Sequence, residues 1–277
     1  MIKPLSLAMR RLLLLASFLV FLAGFQLFIL TEYTDSYFAW TIQPPLTAAF
    51  LGAGYFASFL LEFLASREEE WDRARIAVPA VFVFTTLTLV ATLLHADRFH
   101  FSSPNIFART AAWFWLAIYG VVPPAMLGIW IRQHRMQGQD PRRTATFPFL
   151  IRTVLGAQSI LMLAFGVGLF LAPTPVASFW PWKLTALTGQ AIGAWLLGTG
   201  VLALHAVAEN DLHRVRAGFV SYLALGLLQL VAVLRYPTNI DWANPVSWLY
   251  VLFLLSVLLV GLYGLANLYR QKKSGKA

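Results

Sequence analysis

The chain has 277 residues, of which 59% are hydrophobic and 12% are charged, and its mean hydropathy is +0.68. Soluble domains contain about 45–50% apolar and about 25% charged residues, so this composition indicates an integral membrane protein. Cysteine is absent from the sequence, which excludes disulfides, thiolate metal sites and thiol nucleophiles.

The net charge of +9 is explained by a membrane rather than by nucleic acid. The basic residues lie mostly in short segments between apolar runs, where such residues orient helices and contact anionic headgroups. We therefore expect membrane lipids as partners and no nucleic acid. A membrane-protein partner and a homo-oligomer are both compatible with the sequence.

Eight apolar stretches are long enough to cross a bilayer as helices, for which about 20 residues are needed. The first follows two arginines but is long for a signal peptide, so we expect it to be retained. The predicted spans are 12–31, 45–65, 76–95, 110–131, 153–172, 184–208, 217–236 and 247–269.

A short charged segment after the second stretch recurs after the sixth. Residues 68–75 and 209–216 both begin with glutamate and end in Arg-x-Arg, and they lie 141 positions apart. Without any gap, residues 11–94 align with residues 152–235, giving 21 identities in 84 pairs. Roughly a tenth of the pairs would be identical by chance in a chain so rich in leucine and alanine. This pattern indicates an internal duplication.

The sequence thus predicts an all-α integral membrane fold with eight transmembrane helices, arranged as two parallel four-helix repeats. The repeats are expected at 1–135 and 152–277, joined by a cytoplasmic linker at 136–151. Four crossings return the chain to its starting side, so both repeats enter the bilayer in the same direction. The inverted repeats of many secondary transporters differ in this respect.

Lysine and arginine counts predict the orientation. If both termini lie on one side, that side carries 17 of the 21 basic residues and the other side carries 4. Basic residues accumulate on the cytoplasmic side of membrane proteins. We therefore expect a multi-pass protein of the plasma (inner) membrane with both termini in the cytoplasm.

Small residues in the second and sixth spans suggest where the repeats meet, because helices in lipid associate by close backbone approach. Gly52, Gly54, Gly189 and Gly193 are predicted to line this seam. The alternative is that these glycines pack against helices of their own repeat.

A four-helix unit with a small-residue second helix and a connector such as Arg214-Val215-Arg216 resembles the DoxX-like membrane families, here in two copies. Some DoxX-like proteins are linked to quinone-coupled oxidation of sulfur compounds. The resemblance therefore implies a quinone-linked redox component as one expectation. It transfers no functional residue to this chain.

Ionisable residues inside a span are functional candidates because they are costly to bury in lipid. Glu62 and His205 lie near the cytoplasmic ends of the second and sixth spans, where they could meet and handle a proton. The alternative is that each extends separately to the headgroups.

His95, Asp97 and His100 follow the third span and are candidates for a ligand, proton or metal site. The matching stretch of the second repeat has no histidine. An interfacial ion pair between Asp97 and Arg98 explains part of the same pattern, so the metal assignment stays open.

The leading functional hypothesis is binding of a lipid, a lipophilic small molecule or a membrane partner at the seam. Phosphate-binding, nucleophile-elbow, metalloprotease and dinucleotide motifs are missing from the sequence, which favours a non-enzymatic role. A proton-coupled transporter using the seam is the alternative, followed by the quinone-linked component. The sequence identifies no cofactor.

Overall fold

The structure is a computed structural model that describes residues 1–274. Residues 275–277 lie outside the described part, and with them Lys276, one of the basic residues predicted on the cytoplasmic side. Eight long helices account for most of the described chain. They are α1 (Leu7–Phe28), α2 (Pro45–Ser66), α3 (Val78–Leu94), α4 (Ile106–His134), α5 (Phe149–Leu171), α6 (Ala186–Glu209), α7 (Arg216–Arg235) and α8 (Pro245–Lys273).

Seven of these helices, counted within residues 1–274, are long and apolar enough to cross a membrane. The eighth, α3, is apolar but has only 17 residues. The prediction of an all-α membrane protein with several crossings is therefore confirmed at this level.

Polar caps determine where several helices begin. The Ser6 hydroxyl accepts the Met9 N–H at 3.3 Å, and Thr185 forms a capping box with Thr188 at the start of α6. The side-chain oxygen of Asn105 accepts two N–H groups from the first turn of α4. Such caps satisfy N–H groups that have no partner within the helix. The cap places the start of α4 at Ile106, four residues before the predicted span.

The long helices pair first as neighbours along the chain. Helix α1 packs along α2, α3 along α4, α5 along α6, and α7 along α8. The hairpins then combine across the two halves of the chain: α2 packs against α7, and α3 packs against α6. The direct contact between α2 and α6 is much smaller than either of these. The two halves are therefore interleaved rather than placed side by side as separate bundles.

The segment that precedes the first helix of each half forms main-chain hydrogen bonds with a charged connector. The Leu5 N–H donates to the Glu69 carbonyl at 2.8 Å, and the Trp71 N–H donates to the Lys3 carbonyl at 3.0 Å. In the second half, the Leu212 N–H donates to the Ala145 carbonyl at 2.9 Å. The segment before each half thus lies along the connector between the second and third helices of that half.

Candidate functional site

A cavity of about 810 Å³ lies between α5 and α8. Its walls come from α2, α5, α6, α7 and α8, and the loop residues Phe179, Trp180 and Pro181 close one end. Helix α5 packs mainly on α6 and helix α8 mainly on α7, while α5 and α8 touch each other only slightly. The space between two neighbouring hairpins is therefore left unfilled at this position.

The cavity reaches the lateral surface of the helix bundle. Leu161 of α5 and Leu249 and Leu252 of α8 line it and are also exposed, by 50%, 63% and 61%. These side chains lie on membrane-type helices, so the opening between α5 and α8 faces the hydrocarbon region of a bilayer. A lipophilic molecule can enter such a site without crossing water.

The lining is apolar apart from a few uncharged groups. Within residues 1–274, the lining contains no aspartate, glutamate, lysine, arginine or histidine. Gln158 is 3% exposed, and its Nε2 donates to Ser256 Oγ at 2.9 Å. Ser256 Oγ in turn donates to the Phe253 carbonyl at 2.7 Å. Gln158 Oε1 is buried and has no hydrogen-bond partner among the described residues.

A second polar group lies closer to the loop end of the cavity. Gln229 Nε2 donates to the Phe50 carbonyl at 3.0 Å, and the Tyr250 hydroxyl donates to Gln229 Oε1 at 3.2 Å. This amide therefore has a partner at each end. It connects α7 to α2 of the other half and to α8, and so holds the wall of the cavity in place.

An aromatic cluster lies beside α4 and is formed by side chains of α2, α3, α4 and α6. The hydroxyls of Tyr55 and Tyr119 are 2.7 Å apart, and the Trp115 and Tyr119 rings have centroids 4.4 Å apart. Phe84 lies against Trp195 of α6 with centroids 4.0 Å apart. These rings pack α2, α3 and α4 against one another and against Trp195 of α6.

Glu62 is buried in α2 at 1% exposure. Ser58, one turn earlier, donates to its Oε1 at 2.7 Å, and Oε2 has no partner among the described residues. Ser58 also lines a small cavity of about 30 Å³, which is large enough for a water molecule. His205 instead lies 3.2 Å from Glu209 Oε1. The two sequence candidates therefore have separate partners, and no hydrogen bond or ion pair joins them in residues 1–274.

The three candidates after the third span each have a different partner. His95 Nε2 lies 2.8 Å from Gln190 Oε1 on α6, which links α3 to the other half. His100 Nδ1 lies 2.9 Å from the Phe38 carbonyl, so its ring orders the loop between α1 and α2. Asp97 forms an exposed ion pair with Arg98 at 3.1 Å. Among the described residues, no group of three His, Cys, Asp or Glu side chains is arranged to hold a metal ion.

The four predicted seam glycines have different environments. A Cβ at Gly52 would meet the backbone of Leu27 and Phe28 on α1, and one at Gly193 would meet the α5 backbone. Gly189 faces Pro173, again within its own half. Only Gly54, among these four, faces the other half, where Trp195 lies 3.0 Å from the position of a Cβ. Three of the glycines thus face residues of their own half of the chain.

The charged connectors form a largely buried network between the halves. Arg75 contacts both oxygens of Glu209, at 2.5 and 2.9 Å. Arg214 contacts Glu209 at 3.0 Å and Asp72 at 3.1 Å. Burial opposes the charged form of Arg75, but hydrogen bonds to Glu209 and Asp140 outweigh it and raise the pKa of Arg75. This network fastens the two connectors together.

The cavity is the feature that sequence reasoning missed, although a signal for it exists. Periodicity identifies apolar residues but not the gaps between helices. A comparison of the halves shows smaller side chains at some lining positions, such as Leu196 against Tyr55 and Val257 against Tyr119. No family model, no curated protein and no solved structure matches the chain.

Proposed function

We propose that this chain is an eight-helix membrane protein of two parallel four-helix repeats, which binds an uncharged lipophilic molecule in the cavity between α5 and α8. The observation that carries the binding role is the 810 Å³ apolar cavity with exposed leucines at its lateral opening. Binding pockets for small molecules typically have about 300–1,000 Å³ and are mostly apolar with a few polar groups.

The repeat proposal is supported by the pattern of helix packing. The pairs α1–α2 and α3–α4 have counterparts in α5–α6 and α7–α8. Two contacts join the halves, α2–α7 and α3–α6. Each becomes the other when every helix is replaced by its counterpart in the other half. A half-turn about an axis along the membrane normal produces this exchange when both repeats have the same direction. Inclusion of α3 as an eighth span places both termini on one side, and the basic residues favour the cytoplasmic side of a plasma membrane.

The same correspondence supports a specific role for the cavity. Under the offset of 141, Tyr55 and Phe84 of the first half correspond to Leu196 and Leu225. In the fourth helices, residues 131–133 match residues 269–271, an offset of 138, so Trp115 and Tyr119 correspond to Phe253 and Val257. All four counterparts line the cavity. At these four positions the second half has a smaller side chain than the first half.

Two other functional hypotheses have less support. Proton-coupled transport by Glu62 with His205 is weakened because the two side chains have separate partners. A quinone-linked role, and the DoxX-like similarity behind it, rests on the sequence pattern of the four-helix units alone. The cavity instead favours binding without a required reaction.

Ligand extraction from a matched set of variants tests the proposal. The double variant Leu196→Tyr with Val257→Tyr places in the cavity the tyrosines that stand at the matching positions of the first half, Tyr55 and Tyr119. Ile160→Tyr is the control, because Ile160 is 70% exposed on α5 and lies outside the cavity lining. The proteins are purified in a mild detergent, and bound lipids are extracted and quantified by mass spectrometry.

We expect the wild type and Ile160→Tyr to retain one enriched lipophilic species at a fixed ratio to protein. The double variant should elute as a folded protein and lose most of that species, because the added rings occupy its volume. An identical lipid profile in all three proteins would show that the cavity holds only bulk lipid, and the binding proposal would be rejected.

A further inference from the structure

The polar groups of the cavity specify its ligand further, and this step rests on the proposed binding function. Charged residues are missing from the described lining, and the opening faces hydrocarbon. A charged headgroup inside this cavity would lose its hydration without gaining an opposite charge. The occupant is therefore an uncharged molecule, which excludes phospholipids held by their headgroups.

Gln158 determines which uncharged polar group fits. The Ser256 hydroxyl gives its only hydrogen to the Phe253 carbonyl, so it can act only as an acceptor toward Gln158. This requirement fixes Nε2 of the amide on Ser256, at 2.9 Å. Oε1 is then the free end of the amide, and it is buried without a partner. A buried acceptor of this kind lacks a hydrogen-bond donor, and leaving it unpaired is costly.

The oxygen is within reach of a molecule in the cavity. Gln158 lines the cavity, and the terminal torsion of a glutamine side chain is soft, so a small rotation presents Oε1 to a donor. Gln158 is the tenth residue of α5, about 14 Å along the helix axis from its first residue. Ser256 is the twelfth residue of α8, about 17 Å from the opposite side. Both lie near the middle of a bilayer whose hydrocarbon core is about 30 Å thick.

We infer that the ligand is an uncharged lipid with a hydroxyl group, which donates a hydrogen bond to Gln158 Oε1 at mid-membrane depth. The apolar remainder of the ligand fills the space toward Trp180 and the opening between α5 and α8. Two kinds of molecule carry this chemistry: an aliphatic lipid alcohol and a prenylated hydroquinone. A quinone or an ether of the same size has acceptors but no donor, and its oxygens would face the Gln158 oxygen.

Competition binding with matched probes tests this inference. Purified protein in nanodiscs of zwitterionic phosphatidylcholine is incubated with tritiated geranylgeraniol. Unlabelled geranylgeraniol, its methyl ether, a prenylated hydroquinone and the corresponding quinone are the competitors. We expect each hydroxyl compound to compete about tenfold better than its donor-free partner, since one neutral hydrogen bond contributes about that factor. The hydroxyl compound that competes better shows whether the ligand is a lipid alcohol or a hydroquinone.

The variant Gln158→Met removes the acceptor and keeps a similar length. It should abolish the difference between alcohol and ether while the ether still binds as in the wild type. Equal binding of alcohol and ether by the wild type would overturn the inference, and this comparison needs no variant. If the proposed binding function itself is wrong, no probe, including the ether, would bind in a saturable way.

Discussion

At the scale of single residues, two arginines at matching positions of the charged connectors differ in their surroundings. Arg75 ends the first charged connector and contacts Glu209 at 2.5 Å, with its side chain 20% and that of Glu209 5% exposed. Arg216 ends the second connector and lies 3.9 Å from Glu68, with its side chain 57% exposed. Burial raises the pKa of Glu68 despite the nearby Arg216 and Arg73, which agrees with a loose pair. The same sequence motif thus makes one tight contact between the halves and one weak contact.

This difference gives a prediction with an internal control. Arg75→Gln should lower the stability of the detergent-solubilised protein by about 2 kcal/mol, because Glu209 loses a bidentate partner in a largely buried place but keeps Arg214. Arg216→Gln should cost about 0.5 kcal/mol, as is usual for exposed pairs. Thermal unfolding followed by gel filtration measures both. Equal losses in the two variants would contradict the asymmetry of the network.

The tight pair also shows what a sequence can and cannot reveal about the site. The repeated glutamates and arginines identified the connectors as equivalent, and the structure gives reciprocal pairs between them. The sequence did not indicate that Glu209 and Glu68 each pair with an arginine of the other half. An ion pair within a connector satisfies the same charge pattern, so only the packing of the helices decides between the two.

At the scale of the helices, α3 is the element whose role in the membrane most needs a test. Its 17 residues give a length of about 25 Å, against a hydrocarbon core of about 30 Å. The helix contains no charged residue, and it packs along both α4 and α6. Helices of about 17–25 residues span bilayers. We therefore expect α3 to cross the membrane, although it is the shortest of the eight.

Cysteine labelling checks this expectation, and the absence of native cysteine makes every single replacement informative. Glu69 precedes α3, Ser102 follows it, and both side chains are exposed. In intact cells, a membrane-impermeant maleimide should label Ser102→Cys, whereas Glu69→Cys should react only after permeabilisation. Gln137→Cys, after α4, is the control and should behave as Glu69→Cys does. Labelling of Glu69→Cys and Ser102→Cys from one side would mean that α3 does not cross.

Helix positions were predictable from apolar stretches, but helix ends and partners were not. The predicted span 110–131 lies inside α4, which runs from Ile106 to His134 because Asn105 caps it and polar residues continue the last turn. Hydropathy detects the apolar section and misses the polar ends. Partners are hidden for another reason: nearly every face of such helices is apolar, so periodicity does not say which neighbour a face contacts. The cavity between α5 and α8 depends on which helices pack together, so it could not be predicted from the sequence either.

At the scale of the whole molecule, the interleaving of the halves governs folding. Helix α2 has its large contacts with α1 and with α7, while α6 has them with α5 and with α3. A half expressed alone would keep its two hairpins but lose the contacts between halves. The faces of α2 and α3 that pack on α7 and α6 would then meet lipid. Buried polar groups such as Gln229, which bonds the Phe50 carbonyl at 3.0 Å, would lose their partners.

Cutting the chain in the linker tests this dependence. Residues 1–142 and 143–277 are expressed separately and together, each with a different affinity tag. The cut leaves Asp140 beside Arg75 in one fragment and Ala145 beside Leu212 in the other. We expect each fragment alone to be degraded or to aggregate, and the coexpressed fragments to copurify at one to one with the lipid content of the intact protein. Two fragments that fold separately and remain monodisperse would show that each half is self-sufficient, because no lost contact between halves would then matter for stability.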